Sequence, residues 1–155
     1  AERLNVDRKE AKALIDGYFE NYPNVKAYMD QSIQEAREKG YIETIFKRKR
    51  YLPDINSKNA VVRGYAERNA INAPIQGSAA DIIKVAMIRI YQRFQEEGIR
   101  SKMILQVHDE LNFSVLPEEK EKVQQIVISE MEAAYKMKAP LRADHGWGHN
   151  WLEAH

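Results

Sequence analysis

The chain has 155 residues, of which 44% are hydrophobic and 30% are charged, so it can bury a core and does not have a disordered composition. Its 24 basic and 23 acidic residues give a net charge of only +1, and the absence of cysteine excludes disulfides and thiolate metal sites. No apolar run is long enough to span a membrane and no signal peptide is visible, so we expect a cytoplasmic protein without a membrane partner.

Two amphipathic helices are predicted within the first forty residues. Asp7 is a suitable N-cap, because Glu10 follows three residues later in a capping-box arrangement. Pro23 suits the first turn of the second helix, and Gly40 suits its end. Apolar residues recur at helical spacing in both segments, which indicates helices that act as scaffold.

A basic hairpin is predicted next, with strands at residues 41–46 and 50–52. The run Lys47, Arg48, Lys49 and Arg50 would lie at its tip. Residues 37–68 hold nine basic and four acidic residues, so positive charge is concentrated in this part of the chain. Phosphate binding is the functional interpretation of such a patch, and an ordinary solvated loop is the alternative.

A further helix is predicted after this hairpin, with Asn56 or Ser57 as its cap. Pro74 interrupts the helical pattern and is expected to kink or break the helix just before it. A second helical stretch then continues to Gly98, with an apolar stripe that predicts burial against a core.

Three polar residues in this region, Arg68, Asn72 and Gln76, are spaced four apart. They share one face if helical geometry persists through the proline. Such a line can donate hydrogen bonds to groove acceptors and sugar oxygens of a nucleic acid without reading one base. A polar solvent-facing surface is the alternative interpretation.

The stretch from residue 102 to 115 predicts a second hairpin, with apolar strands at 103–107 and 111–115. His108, Asp109 and Glu110 form its charged tip. Buried strands would hold the tip rigidly while its carboxylates stay accessible, which suits a divalent cation. The alternative is an ordinary acidic turn. Because adjacent strand residues point to opposite faces, both acids would not be direct ligands unless the turn rotates one of them.

The rest of the chain predicts a helix that begins at Pro117 and a last strand at residues 140–145. Helices and hairpins are mixed without strict alternation, which indicates an α+β fold with helices against a mainly antiparallel sheet. A soft boundary near residues 70–76 separates the basic helical part from the part that contains the sheet.

Four segments resemble one known family. The sequence QVHDE at residues 106–110 is similar to the last catalytic motif of family A DNA polymerases, the DNA polymerase I-like enzymes. RKRYLPDI at 48–55, AERNAINAPIQGSAADIIK at 66–84 and WLEAH at 151–155 also resemble that family and occur in the same order. The combination of residues 66–84 with 106–110 is far more specific than either segment alone.

The resemblance implies roles for these residues. Asp109 would be one of two aspartates that hold a catalytic pair of Mg²⁺ ions, with Glu110 as a supporting acid and His108 near the primer terminus. Arg68, Asn72 and Gln76 would face the primer–template duplex. Residues 1–70 would be a helical segment derived from the fingers, with the basic hairpin, and residues 71–155 would be the palm portion with its antiparallel sheet and catalytic hairpin.

The sequence also departs from the family pattern. The motif that supplies the other metal aspartate is absent, and so is the helix that grips the incoming deoxynucleoside triphosphate. We therefore expect the C-terminal part of a polymerase, beginning just after that helix, ending at the family's C-terminus and inactive by itself. Sheet edges left without the upstream strands could drive self-association.

Two other functions remain open from the sequence. A single-subunit RNA polymerase shares the palm and the His-Asp pair, but its phage-like members typically have serine where Glu110 stands. A non-catalytic module that binds duplex nucleic acid would need only the basic run and the Arg68, Asn72 and Gln76 line.

Overall fold

The computed structural model describes residues 7–154 and has an α+β composition, as the sequence predicted. Its helices are α1 (Arg8–Asn21), α2 (Pro23–Lys39), α3 (Ala60–Glu96) and α4 (Lys120–Glu132), and its strands are β1 (Tyr41–Glu43), β2 (Lys49–Tyr51), β3 (Lys102–Val107) and β4 (Glu110–Ser114). The described residues form two compact units, one up to Gln76 and one from Gly77. The assignment of residues 1–70 and 71–155 to fingers and palm stays a prediction.

The strands do not form the single antiparallel sheet that was predicted. β1 pairs with β2, and β3 pairs with β4, as two separate two-stranded antiparallel sheets. The strand predicted at residues 140–145 is wrong, because this segment is irregular. There the backbone N–H of Ala143 donates to the Glu132 carboxylate at 3.2 Å, so it makes a side-chain contact with the end of α4.

The first unit is organised by well-capped helices around a small core. Asp7 caps α1 as predicted, with its carboxylate accepting from the Glu10 N–H at 2.7 Å. Gly40 ends α2 in the left-handed conformation (φ 77°), which glycine adopts without steric cost. The buried residues of this core come from α2, β1, the segment that follows β2, and the start of α3: Ala36, Ile42, Leu52, Ile55, Ala66, Ala70 and Ala73.

Helix α3 differs from the sequence prediction in its start and its continuity. Asn59 is the cap, since its side-chain oxygen accepts from the Val61 N–H at 2.9 Å, so the prediction of Asn56 or Ser57 is wrong. The helix continues through Pro74 without a break. Proline has no N–H to donate to the carbonyl oxygen of Ala70, and Ala70 and Ala73 are both buried in the core of the first unit.

The second unit packs the end of α3 against α4 and one face of the β3–β4 hairpin. Its buried cluster consists of Ala86, Ile90, Phe94, Val123, Ile126 and Ala134. Hairpin residues Met103, Leu111 and Phe113 lie against this cluster, and the rings of Phe94 and Phe113 are 5.9 Å apart. This contact fixes one side of the hairpin. No helix among residues 7–154 is both long and apolar enough for a membrane span.

A carboxylate network joins the start of β3 to the segment before α4. Glu119 accepts hydrogen bonds from the Ser101 hydroxyl at 2.6 Å, from the Ser101 N–H at 2.8 Å and from the Arg100 N–H at 3.0 Å. The Ser101 hydroxyl in turn accepts from the Leu116 N–H at 3.0 Å. The hydrogen bonds to Glu119 lower its pKa to about 2 from its ordinary 4.5, and the bond from the Ser101 hydroxyl makes the largest contribution.

The low pKa of Glu119 predicts acid lability. Because the folded state favours the charged form, its stabilisation is fully present above pH 4.5 and is lost as the pH falls from 4.5 towards 2. We expect the Glu119→Gln variant to lose less of its free energy of unfolding over this range than the wild type, as measured by urea unfolding at each pH. Glu118→Gln is the control, since Glu118 contacts only the exposed side chain of Arg100 within this network. Equal pH dependence in the wild type and Glu119→Gln would contradict the prediction.

Candidate functional site

The turn of the β3–β4 hairpin consists of two residues, His108 and Asp109. Val107 pairs with Glu110, so Glu110 is the first residue of β4 and does not lie at the tip as predicted. His108 has a φ of 53°, in the left-handed region that non-glycine residues seldom adopt. A positive φ at the first residue of a two-residue connection matches the right-handed twist of the flanking strands, which is why the turn tolerates it.

The two faces of this hairpin have different surroundings. The pair Met103 and Phe113 lies on the core side, whereas Leu105 pairs with Asn112 on the outer side. The pairing shifts between Met103 and Leu105, and Ile104 lies at that irregularity. Ile104 and Leu105 are 64% and 49% exposed, so the prediction that both strands are buried is wrong. Self-association through exposed sheet edges stays a prediction.

The tip side chains are accessible on a braced backbone. His108 and Asp109 are exposed, and Glu110 is half-buried. The Gln106 amide donates to the carbonyl oxygen of His108 at 2.5 Å, which ties the turn back to β3. The structure therefore presents the Asp109 carboxylate to solvent and keeps Glu110 within the ladder, so the two acids differ in their surroundings.

The donor set at this tip fits only part of a metal site. Mg²⁺ prefers carboxylate oxygens, and Asp109 supplies them in an accessible position. Among residues 7–154, no group of three or more His, Asp or Glu side chains could hold a metal ion together. A pair of ions needs several carboxylate and water oxygens. Asp109 thus fits as one contributor to a larger set.

The predicted polar line lies on one helix face. Arg68, Asn72 and Gln76 belong to the uninterrupted α3 at four-residue spacing, and all three are exposed. The Arg68 guanidinium carbon lies 5.8 Å from the centroid of the Tyr65 ring. This surface belongs to the first unit, and it presents donors and acceptors along about two helical turns.

The four basic residues are divided between a connection and a strand. Lys47 and Arg48 lie in the connection that follows β1, whereas Lys49 and Arg50 lie in β2, so the prediction of a four-residue basic tip is wrong. Strand β1 ends at Glu43, earlier than predicted, because Ile45 and Phe46 form the turn itself. All four basic side chains are exposed, and the ammonium of Lys47 is 3.7 Å from the Glu43 carboxylate.

A protein-family model shows which family this chain belongs to. The model described as DNA polymerase family A matches residues 1–153. The chain belongs to DNA polymerase family A. The resemblance inferred from residues 48–55, 66–84, 106–110 and 151–155 is thereby confirmed at the level of the family, and the RNA polymerase alternative loses its support.

Relatives within family A agree with this assignment. DNA polymerase I of Streptococcus pneumoniae serotype 4 is 53% identical over 151 residues, which is 97% of this chain and 17% of the relative. DNA polymerase I of Caldicellulosiruptor bescii is 52% identical over 153 residues, which is 99% of this chain and 18% of the relative. DNA polymerase I of Bacillus caldotenax is 49% identical over 154 residues, which is also 99% of this chain and 18% of the relative. The chain thus spans under a fifth of the length of these relatives.

A solved structure matches the fold closely. It is described as the POL domain of Pol1 from M. smegmatis in complex with DNA primer-template and dNTP. The TM-score is 0.96 at 45% identity, and the match covers 99% of this chain and 27% of that one. The arrangement of helices and hairpins described above is therefore the arrangement of a segment of a family A polymerase domain.

Sequence reasoning overlooked two aromatic residues beside the basic run of this family A chain. Tyr41 and Tyr51 are directly paired across the β1–β2 hairpin, and their ring centroids are 5.7 Å apart. Lys49 places its ammonium 4.3 Å from the Tyr41 centroid. The signal that could have found them is the two-residue spacing of Lys49 and Tyr51, which puts both on one face of a strand.

Proposed function

We propose that this chain is part of a DNA-directed DNA polymerase that adds deoxynucleotides to the 3′ end of a primer. The observation that carries the proposal is the exposed Asp109 on its two-residue turn, in a chain whose fold matches a family A polymerase domain described in complex with primer-template DNA and dNTP. The proposal includes the cytoplasmic location expected from the sequence and the division into a fingers-derived segment and a palm portion.

Asp109 is the residue proposed to bind metal. Bound Mg²⁺ would activate the primer 3′-hydroxyl and neutralise charge on the leaving pyrophosphate. The chain's own contribution is to hold the Asp109 carboxylate on a turn braced by Gln106 and by the core side of the hairpin. Glu110 is half-buried beside it and is proposed as a supporting acid, and the exposed His108 imidazole is proposed to contact the primer terminus.

The DNA contacts are proposed for two surfaces of the first unit. Arg68, Asn72 and Gln76 offer a face of mixed donors and acceptors, which suits the minor-groove edge and sugars of a duplex near the growing end. Residues 47–50 offer four exposed cations that suit backbone phosphates. Neither surface reads a single base, which suits an enzyme that must hold DNA of any sequence.

Salt-dependent binding tests this DNA face. We expect the 155-residue chain to bind a labelled primer–template with an affinity that falls steeply as salt rises, because neutralising phosphates releases counterions. Changing Lys47, Arg48, Lys49 and Arg50 to alanine should lower the affinity and reduce the salt slope by about one for each phosphate that is no longer neutralised. Fluorescence anisotropy across a salt series measures both quantities.

A matched control separates local contact from total charge. The variant with Lys12, Lys26, Lys136 and Lys138 changed to alanine loses the same formal charge from exposed positions elsewhere. It should keep a salt slope close to that of the wild type. Binding that is independent of salt, equal losses in the two variants, or no binding at low ionic strength would contradict the proposed face.

A second candidate function is a non-catalytic module that binds duplex nucleic acid. The same exposed residues favour it, namely the basic run and the line on α3. For the 155-residue chain alone it is the activity we expect, because the tip offers one accessible carboxylate to metal and the described residues hold no trio of ligands. Primer extension by the chain alone would therefore contradict this part of the proposal.

A further inference from the structure

The β1–β2 hairpin has one face against a core and one face towards solvent. Ile42 is 6% exposed and belongs to the core cluster of the first unit. Tyr41 and Glu43 alternate with it on β1, and their partners on β2 are Tyr51 and Lys49. These four residues therefore share the opposite face. We call this set, Tyr41, Glu43, Lys49 and Tyr51, the aromatic face.

The aromatic face combines an open ring with a fixed cation. Tyr51 is 69% exposed, and its ring stands edge-on to Tyr41 at an interplanar angle of 63°. The ammonium of Lys49 lies over the Tyr41 ring at 4.3 Å, a cation–π distance. Tyr41 is thus partly covered, whereas most of the Tyr51 ring stays available, with the positive charge of Lys49 next to it.

Phosphate binding alone does not explain an exposed tyrosine in this position. Backbone phosphates need cations, and the exposed Lys47 and Arg50 on the same hairpin supply them. Bases inside a duplex are stacked on each other and are closed to a protein ring, whereas unpaired bases have free faces. Aromatic rings interleaved with cations are the arrangement that binds single strands without a strong sequence preference.

We propose that Tyr51 is a stacking platform for an unpaired base of single-stranded nucleic acid, with Lys49 holding an adjacent phosphate. The inference rests on the proposed polymerase function, in which the single strand is the template that has not yet been copied. The Tyr41 ring supports Tyr51 from the side and fixes its orientation. The chemistry recognised is a base with its sugar-phosphate backbone, in any sequence.

The test compares single-stranded and blunt duplex DNA in the 155-residue chain. We expect Tyr51→Leu to weaken binding of a labelled oligothymidine by about tenfold, the range for removal of one base stack, and to leave binding of a blunt duplex unchanged. Tyr51→Phe keeps the ring and should bind as the wild type does. Tyr91→Leu removes a similarly exposed tyrosine from α3 and should change neither affinity.

Each result supports or overturns the platform. Three results would overturn the platform: an equal loss of affinity for both DNAs in Tyr51→Leu, no loss for either DNA, or a loss of the same size in Tyr51→Phe. If the wild type still binds primer–template, these results leave the proposed DNA face intact. Failure of the wild type to bind any DNA at low salt would overturn the DNA face and the platform together. Matching thermal unfolding curves show that the variants are folded, as the exposure of Tyr51 leads us to expect.

Discussion

Replacing Asp109 with alanine in a polymerase that contains this chain should lower the rate of primer extension by about a thousandfold. If Asp109 has its proposed role as a metal ligand, its removal takes away several kcal/mol of transition-state stabilisation, and each 1.36 kcal/mol is roughly a factor of ten in rate. Asp109 is exposed on the turn, so its removal should leave the fold and the affinity for primer–template unchanged. Single-turnover extension at saturating dNTP measures the effect on the chemical step.

Glu110→Gln is the matched control for this experiment. Glu110 is half-buried and pairs with Val107 in the strand ladder, so it is expected to act through its neighbour. Groups that orient a metal ligand typically account for about 10- to 100-fold in activity or metal affinity. An equal or larger loss of activity in Glu110→Gln would show that Glu110 is the principal ligand and that Asp109 has been assigned wrongly.

Ile90→Ala is expected to destabilise the second unit by about 3 kcal/mol, within the usual range for truncating a buried isoleucine. Ile90 is fully buried on α3 and lies in the same cluster as Phe94, Val123 and Ile126. The effect combines removed apolar burial with the cavity left behind, and it is a large part of the stability of a domain of this size. Both tryptophans, Trp147 and Trp151, belong to this unit, so their fluorescence during urea unfolding reports on it.

Ile88→Ala provides the comparison on the same helix. Ile88 lies two residues from Ile90 and is 58% exposed, so its truncation should change the free energy of unfolding by less than about 0.5 kcal/mol. The two variants have the same side-chain change and the same change in helix propensity. Equal destabilisation would mean that α3 is not anchored through the Ile90 side.

Local chemistry made several elements predictable from the sequence. Asp7 and Gly40 were assigned correctly because capping depends on one side chain or one backbone angle, which the residue type largely determines. The α+β composition followed from periodicity. Family membership followed from the order and spacing of motifs, which composition alone could not supply.

The features that were predicted wrongly or missed depend on tertiary contacts and on strand pairing. Pro74 was expected to kink or break α3, but the helix continues through it without a break, and Ala70 and Ala73 beside it are buried in the core of the first unit. The position of Glu110 depends on a two-residue turn, and the same residues could equally have formed a longer tip. The aromatic face was missed because the second strand was predicted to begin at residue 50, which left Lys49 in the tip. Strand β2 begins at Lys49, so Lys49 and Tyr51 lie on one strand face.

The left-handed backbone of His108 has a consequence for how this turn can be altered. That conformation costs a non-glycine residue about 1–2 kcal/mol, whereas glycine adopts it freely. Position 108 therefore combines a backbone requirement that glycine meets best with a side chain that only histidine provides. A glycine there would relax the main chain and delete the imidazole at once, so a loss of activity without a loss of stability would isolate the contribution of the ring.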